Sequence, residues 1–293
     1  MRRSVILGGA AAVVAVLVSS CASGDPASPS VYVTTVTAPA TTTYGPPPSP
    51  SSAPAKPGLA ASFQKISAAS GLQLGVAVAP VGRNATATVA LGDQDPGVAW
   101  STIKVPLAVA AERQNGASAA ESAAIIDSDN AAAESLWASL GSNAEASQKV
   151  TAVLREGGNT STEVPAQQLR AGFTVFGQTQ WTLRDAASFT GHLPCMPGTE
   201  HVISLMGQVA GNQQWGVEIM AAPKSTAVKG GWGPAADGSY LVRQIGLITY
   251  RDGRQAAVAM SAYGGSMSAG IAALNAVGNW LNKNIGALPR GSC

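Results

Sequence analysis

Apolar positions recur along this chain with two spacings, and the change from one to the other divides it into elements. Leu59, Phe63 and Ile66 fall on one helical face, so Leu59–Ser70 reads as a short amphipathic helix stopped by Gly71. Alternation then takes over. Leu72–Val81 reads as a strand, Gly82-Arg83-Asn84 as a turn and Ala85–Leu91 as a second strand. The middle of the chain is helical, with segments at Thr102–Gln114, Ala117–Ile126, Ala131–Leu140, Leu183–Thr190 and 201–210. Strand patterns return at Gly216–Ala221, Ser239–Tyr250 and Ala256–Ala262, and Met267–Asn284 suits a long closing helix. Consecutive strands joined by turns imply an α/β domain: an antiparallel five-stranded sheet flanked by helices, with a helical insertion between its halves.

Ahead of this pattern lie two segments of different character. Arg2 and Arg3 precede an uncharged apolar run, Val5–Val18, too short to span a bilayer and flanked like an export signal, so residues 1–20 read as a signal peptide. Residues 21–57 read as a tether. Of positions 22–57, 21 are Pro, Ser or Thr, which cannot offset the entropy of folding by burying surface. The expected folded domain is 58–293.

Composition excludes several functions. The formal charge of +2 comes from Arg2 and Arg3, so a chain without them is neutral and lacks the electrostatic footprint of a nucleic-acid binder. With only His192 and His201, multi-histidine metal sites are not expected, and no metal or cofactor is assigned. There is no Walker loop, G-x-G-x-x-G, H-E-x-x-H or G-x-S-x-G. Glu112, Glu134 and Asp185 read as solvated helix charges, and nothing connects either histidine to chemistry. Trp181 and Trp232 could line a cleft, although aromatics are more often core.

Three short motifs could carry chemistry. Ser101-Thr102-Ile103-Lys104 opens an apolar helix, and Lys104 is the only charge between Asp95 and Glu112. Spacing of three puts both side chains on one helical face. Desolvation favours the neutral amine, which can take a proton from a serine hydroxyl. The alternative is a buried lysine paired with a distant carboxylate. Ser128-Asp129-Asn130 precedes a helix and could equally be a cluster of N-caps. Lys229-Gly230-Gly231-Trp232-Gly233 could be a glycine-rich turn with a solvated lysine.

In this order and setting, S-x-x-K, S-D-N and K-x-G resemble the class A β-lactamase and penicillin-binding serine-hydrolase superfamily, over most of residues 58–293. The resemblance implies Ser101 as acyl-accepting nucleophile and Lys104 as its base or proton relay. It implies Ser128 as proton donor to the leaving group and Asn130 as the residue orienting substrate and Lys104. Lys229 would supply positive potential toward an anionic substrate, and the N–H groups of Ser101 and Trp232 an oxyanion hole. The chain departs from the pattern in three ways. Gly230 replaces the usual hydroxyl residue that binds a substrate carboxylate. Glu163 is the only carboxylate at the separation of a deacylating glutamate, and it lacks the accompanying asparagine. The 27-residue gap from Ser101 to Ser128 implies a trimmed helical lobe.

Val18-Ser19-Ser20-Cys21 resembles the lipobox of bacterial lipoproteins. That implies a lipid on Cys21 and a location on the extracytoplasmic face of a bacterial cell membrane; an ordinary cleaved signal is the alternative. Together with the alanine-rich flavour, it resembles an actinobacterial lipoprotein of the same superfamily. With Cys21 lipidated, Cys195 and Cys293 form an even pair expected to be a disulfide, with two free thiols as the alternative. Two functions follow from these readings. One is a membrane-tethered serine hydrolase acting on peptidoglycan or a small acyl substrate; the other is a hydrolase-fold module that binds or scaffolds cell-wall components without turnover.

Overall fold

The computed structural model describes residues 57–293; the signal-peptide, Cys21 and tether readings lie outside them, apart from Pro57. That proline starts a helix, α1 (Pro57–Ser70), because at the first helical position its fixed φ helps and its missing N–H costs nothing. Five antiparallel strands form the main sheet: β1 (Gln73–Pro80), β2 (Val89–Gly92), β5 (Ser225–Pro234), β6 (Tyr240–Thr249) and β7 (Gln255–Tyr263), in the order β2-β1-β7-β6-β5. Two-residue strands β3 (Gly97–Val98) and β4 (Gln180–Trp181) pair separately. The remaining helices are α2 (Lys104–Asn115), α3 (Ala119–Ile126), α4 (Asn130–Ser139), α5 (Asn143–Glu156), α6 (Leu183–His192), α7 (Glu200–Met206) and α8 (Met267–Lys283).

Both faces of the sheet are buried, and they differ in bulk. Val76, Val78, Val258 and Met260 pack with Leu59 and Phe63 of α1 and Leu274, Val277 and Leu281 of α8. The alternate positions Ala77, Ala79, Ala257 and Ala259 face the helical lobe with Phe189, Leu107 and Trp181. Small residues on that face let helices sit close. A Cβ on Gly191 of α6 would lie 2.8 Å from the Ala85 methyl and 2.9 Å from Pro80 O. A disulfide joins Cys195, between α6 and α7, to the terminal Cys293, with Cα atoms 5.4 Å apart.

Three expectations are corrected. Gly216–Ala221 is a turn, not a strand: Gly216 has φ +66°, its N–H donates to Asn275 Oδ1, and Val217 N–H donates to Gln244 Oε1. With side chains serving its backbone, the segment has no need of a sheet. The strand expected there is β5, which starts nine residues later, and the glycine run lies inside it. Helix α5 had not been expected, although Ser142 and Glu145 form a full capping box at its start.

Candidate active site

The site forms where α2, the α3–α4 junction and β5 meet. A 3₁₀ turn over Trp100–Ile103 precedes α2, so the helix begins at Lys104 rather than at Thr102. Trp100 has φ +49° and Ser128 φ +59°. Both are non-glycine residues in the left-handed region, a strain the surrounding packing must sustain and one that gathers at functional sites.

Lys104 is buried, and its Nζ donates to Ser128 O (2.7 Å), Asp129 O (3.1 Å) and Asn130 Oδ1 (2.8 Å). Its partners are carbonyls; among the described residues it has no ion pair, contrary to the alternative of a lysine held by a distant carboxylate. Burial lowers its pKa to about 8, opposed by the nearby charges of Asp129 and Glu134. The N-cap of α4 is Asp129, whose side chain accepts from Ala132 N–H at 2.7 Å. That leaves the Asn130 side chain for Lys104 and the Ser128 hydroxyl for Lys229. Ser101 is half-buried, and among the described residues its hydroxyl has no hydrogen-bond partner.

Lys229 is fully buried on β5, not a solvated lysine on a turn. Its Nζ is hydrogen-bonded to Ser128 Oγ (2.8 Å), Gln213 Oε1 (2.5 Å) and Gly230 O (3.0 Å). Its pKa is driven well below the lysine range, by burial first and by Lys104 second. The expectation of a solvated lysine on a turn is corrected here: Lys229 is fully buried, and its amine is hydrogen-bonded within the fold. Gln213 also accepts from Gly230 N–H (3.0 Å) and donates to Ile125 O and Ile126 O, tying β5 to the end of α3. Trp215 closes the same side. A Cβ on Gly230 would lie 2.8 Å from its ring, so the glycine is required by the tryptophan. Neither Gln213 nor Trp215 had been singled out, since no motif surrounds them.

The other glycines set the approach of β5 to the Trp100–Ile103 turn. A Cβ on Gly231 would lie 2.9 Å from Ala99 O, 2.9 Å from Ser101 N and 3.0 Å from Thr102 N, and one on Gly233 would lie 2.5 Å from the Trp100 ring. Bare backbone at both positions lets the strand lie against Trp100–Ser101, bringing half-buried Trp232 to the same turn. Glu163 is not part of this group. Its side chain is 79% exposed and accepts from Arg155 of α5 at 2.6 Å, and nothing around it prepares a deacylating base. Trp181 is a core residue, fully buried against Phe189. A cavity of about 460 Å³ lies beside Trp100, lined also by Arg170, Phe173, Pro234 and Arg243, but none of the five motif side chains lines it.

Comparison with known proteins places the fold. No protein-family model and no curated protein sequence matches the chain. Solved structures do. A β-lactamase from Chitinophaga pinensis superposes with a TM-score of 0.64 at 14% identity, over 78% of this chain and 99% of that one. A β-lactamase from Burkholderia vietnamiensis gives 0.60 at 18% identity, over 79% and 97%. A reconstructed ancestral class A β-lactamase gives 0.57 at 18%, over 77% and 99%. The chain therefore has the β-lactamase-like fold, as its motifs implied.

Proposed function

We propose that residues 57–293 form a serine hydrolase that works through an acyl-Ser101 intermediate on an amide or ester. The supporting observation is the convergence of buried Lys104, at a pKa of about 8, with Ser128, Asn130 and Lys229, with half-buried Ser101 three residues before Lys104 in the turn that leads into α2. An ammonium donates three hydrogen bonds, whereas a neutral amine keeps two N–H groups and gains a lone pair. On losing its proton, Lys104 gives up the longest of its contacts, that to Asp129 O, and can accept the Ser101 proton. Attack on the acyl carbon then places negative charge on its oxygen, which the N–H groups of Ser101 and Trp232 stabilise. Ser128, hydrogen-bonded to Lys229, passes a proton to the departing group. With Glu163 elsewhere, hydrolysis of the acyl-enzyme relies on Lys104 and is slow. Gln213 and Trp215 close the Gly230 side, so the substrate class is an acyl group without a carboxylate to anchor there.

That same closure favours a second reading, a non-catalytic module that binds peptidoglycan or a partner. The two are separated by treating the full chain with a fluorescent fluorophosphonate. The hydrolase is labelled, Ser101→Ala is not, and a penicillin probe labels poorly. A folded protein that no acylating probe labels, and whose cell-wall binding survives Ser101→Ala, is the module. We also propose that lipid on Cys21 anchors the chain to the extracytoplasmic face of a bacterial cell membrane, on the strength of Val18-Ser19-Ser20-Cys21. Metabolic labelling with palmitate, lost in Cys21→Ala, tests this.

A further inference from the structure

A second cluster of chemistry-bearing side chains lies in the helical lobe, outside the group around Ser101. Glu112 of α2, Glu121 of α3 and His201 of α7 bring one ligand atom each to within 4.8 Å of one another. Glu112 is not the solvated helix charge the sequence suggested, and His201, which nothing in the sequence connected to chemistry, lies against it. Glu121 is 1% exposed, and among the described residues neither of its carboxylate oxygens has a hydrogen-bond partner; Glu112 Oε2 and His201 Nδ1 are likewise buried and unpartnered. An orphaned buried carboxylate is costly unless something neutralises it. Nδ1 of His201 lies 3.3 Å from Glu121 Oε1 and 3.5 Å from Glu112 Oε1.

Those separations are too long for strong hydrogen bonds but suit another geometry. Ligands about 2.0 Å from a tetrahedral zinc ion sit about 3.3 Å from each other. We propose that Glu112, Glu121 and His201 are the three protein ligands of a zinc-type divalent cation, with water in the fourth position. One imidazole nitrogen and two carboxylates suit a borderline cation better than Mg²⁺, which prefers all-oxygen octahedral surroundings. His201 is 38% exposed, which gives the ion an entry path, while Glu121 anchors it from within.

The place in the fold gives the ion a role. α2 begins at Lys104, and Glu112 lies eight residues on, about 12 Å along the helix axis. α3 carries Glu121 and runs into Ser128–Asn130. An ion held by both helices and by α7 braces the two segments whose spacing sets the Lys104–Asn130 contact. This inference does not depend on the hydrolase reading.

The test uses the full chain, stripped with chelator and titrated with Zn²⁺, then with Co²⁺ and Mg²⁺. One Zn²⁺ per chain, a raised Tm and the visible spectrum of tetrahedral Co²⁺ are expected, with Mg²⁺ ineffective. His201→Ala and Glu112→Gln should each weaken Zn²⁺ binding by about a hundredfold or more, beyond what loss of an outer-shell partner does. Both are only partly buried, so both variants are expected to fold by circular dichroism. Absence of stoichiometric Zn²⁺, a preference for Mg²⁺, or affinity unchanged in both variants would overturn the site. Fluorophosphonate labelling is read separately, so failure of one proposal leaves the other standing.

Discussion

If Lys104 is the base for Ser101, the rate at which an uncharged serine-directed probe labels Ser101 must follow the neutral fraction of that amine. With a pKa of about 8, roughly one molecule in ten carries neutral Lys104 at pH 7, against a few in ten thousand for an ordinary lysine near 10.4. Burial thus raises the working fraction by about two orders of magnitude. Between pH 6 and 8 the labelling rate should climb about fiftyfold and then level off. The assay is stopped-flow labelling with a fluorescent fluorophosphonate, with Ser101→Ala as blank. Lys104→Arg, which stays charged throughout, should remove the rising limb and cost about 10²–10⁴ in rate. The same shift has a stability signature. From about pH 8 to 10 the unfolded chain still holds the lysine proton while the folded one has lost it. Stability therefore rises with pH across that window, by about 2–3 kcal/mol for Lys104 alone. Lys229, lowered for the same reason, adds in the same direction. A labelling rate flat from pH 6 to 8, or one rising tenfold per unit through pH 10, would refute the assignment of Lys104 as base.

Three further outcomes are expected. Gly231→Ala places a methyl 2.9–3.0 Å from three backbone atoms of the Ser101 turn; urea denaturation should show a loss of about 1–3 kcal/mol, and labelling should fall by more than the unfolded fraction explains. Gly230→Ser, the residue type the resemblance would favour, meets the Trp215 ring; it should lower the urea midpoint without improving penicillin labelling, and a gain in labelling would show that the closed side opens. Breaking the Cys195–Cys293 bridge, which closes a separation of 98 residues, should cost about 2–5 kcal/mol, read as a lower urea midpoint in Cys293→Ser.

The sheet was largely legible because its strands obey period two on both faces. Val76 and Val78 alternate with Ala77 and Ala79, and Val258 alternates with Ala257 and Ala259. Where local chemistry gave a second answer, the reading slipped. Gly216–Ala221 is apolar enough for a strand, but Asn275 and Gln244, far along the chain, take its N–H groups. β5 was missed in its place because Lys229-Gly230-Gly231-Trp232-Gly233 has the composition of a turn. Its glycines serve instead to let a strand pass within contact distance of Trp100 and Ser101. α5 carried a readable sign in Ser142 and Glu145 that went unused.

At the site, spacing alone could place Ser101 beside Lys104 and Ser128 beside Asn130, because each pair lies within one helical start. The two pairs meet through Lys104, which donates to Ser128 O and Asn130 Oδ1; what β5 adds there depends on residues with no signature. Lys229 satisfies a motif whose resemblance implies positive potential toward a substrate, and here it is fully buried with Gln213 Oε1 accepting from its amine. Gly230 reads in the sequence as a hydroxyl lost; in the fold it is space given up to Trp215. Those two facts belong together. Gln213 accepts from both the Lys229 amine and Gly230 N–H, and Trp215 fills the space a side chain at position 230 would take. On the proposed hydrolase reading, proton handling rests on Lys104 and anion binding on Lys229 and position 230, and the two can vary apart. Burial lowers the Lys104 pKa to about 8 while Trp215 fills the space beside Gly230, so that reading expects an acyl substrate without an anionic handle.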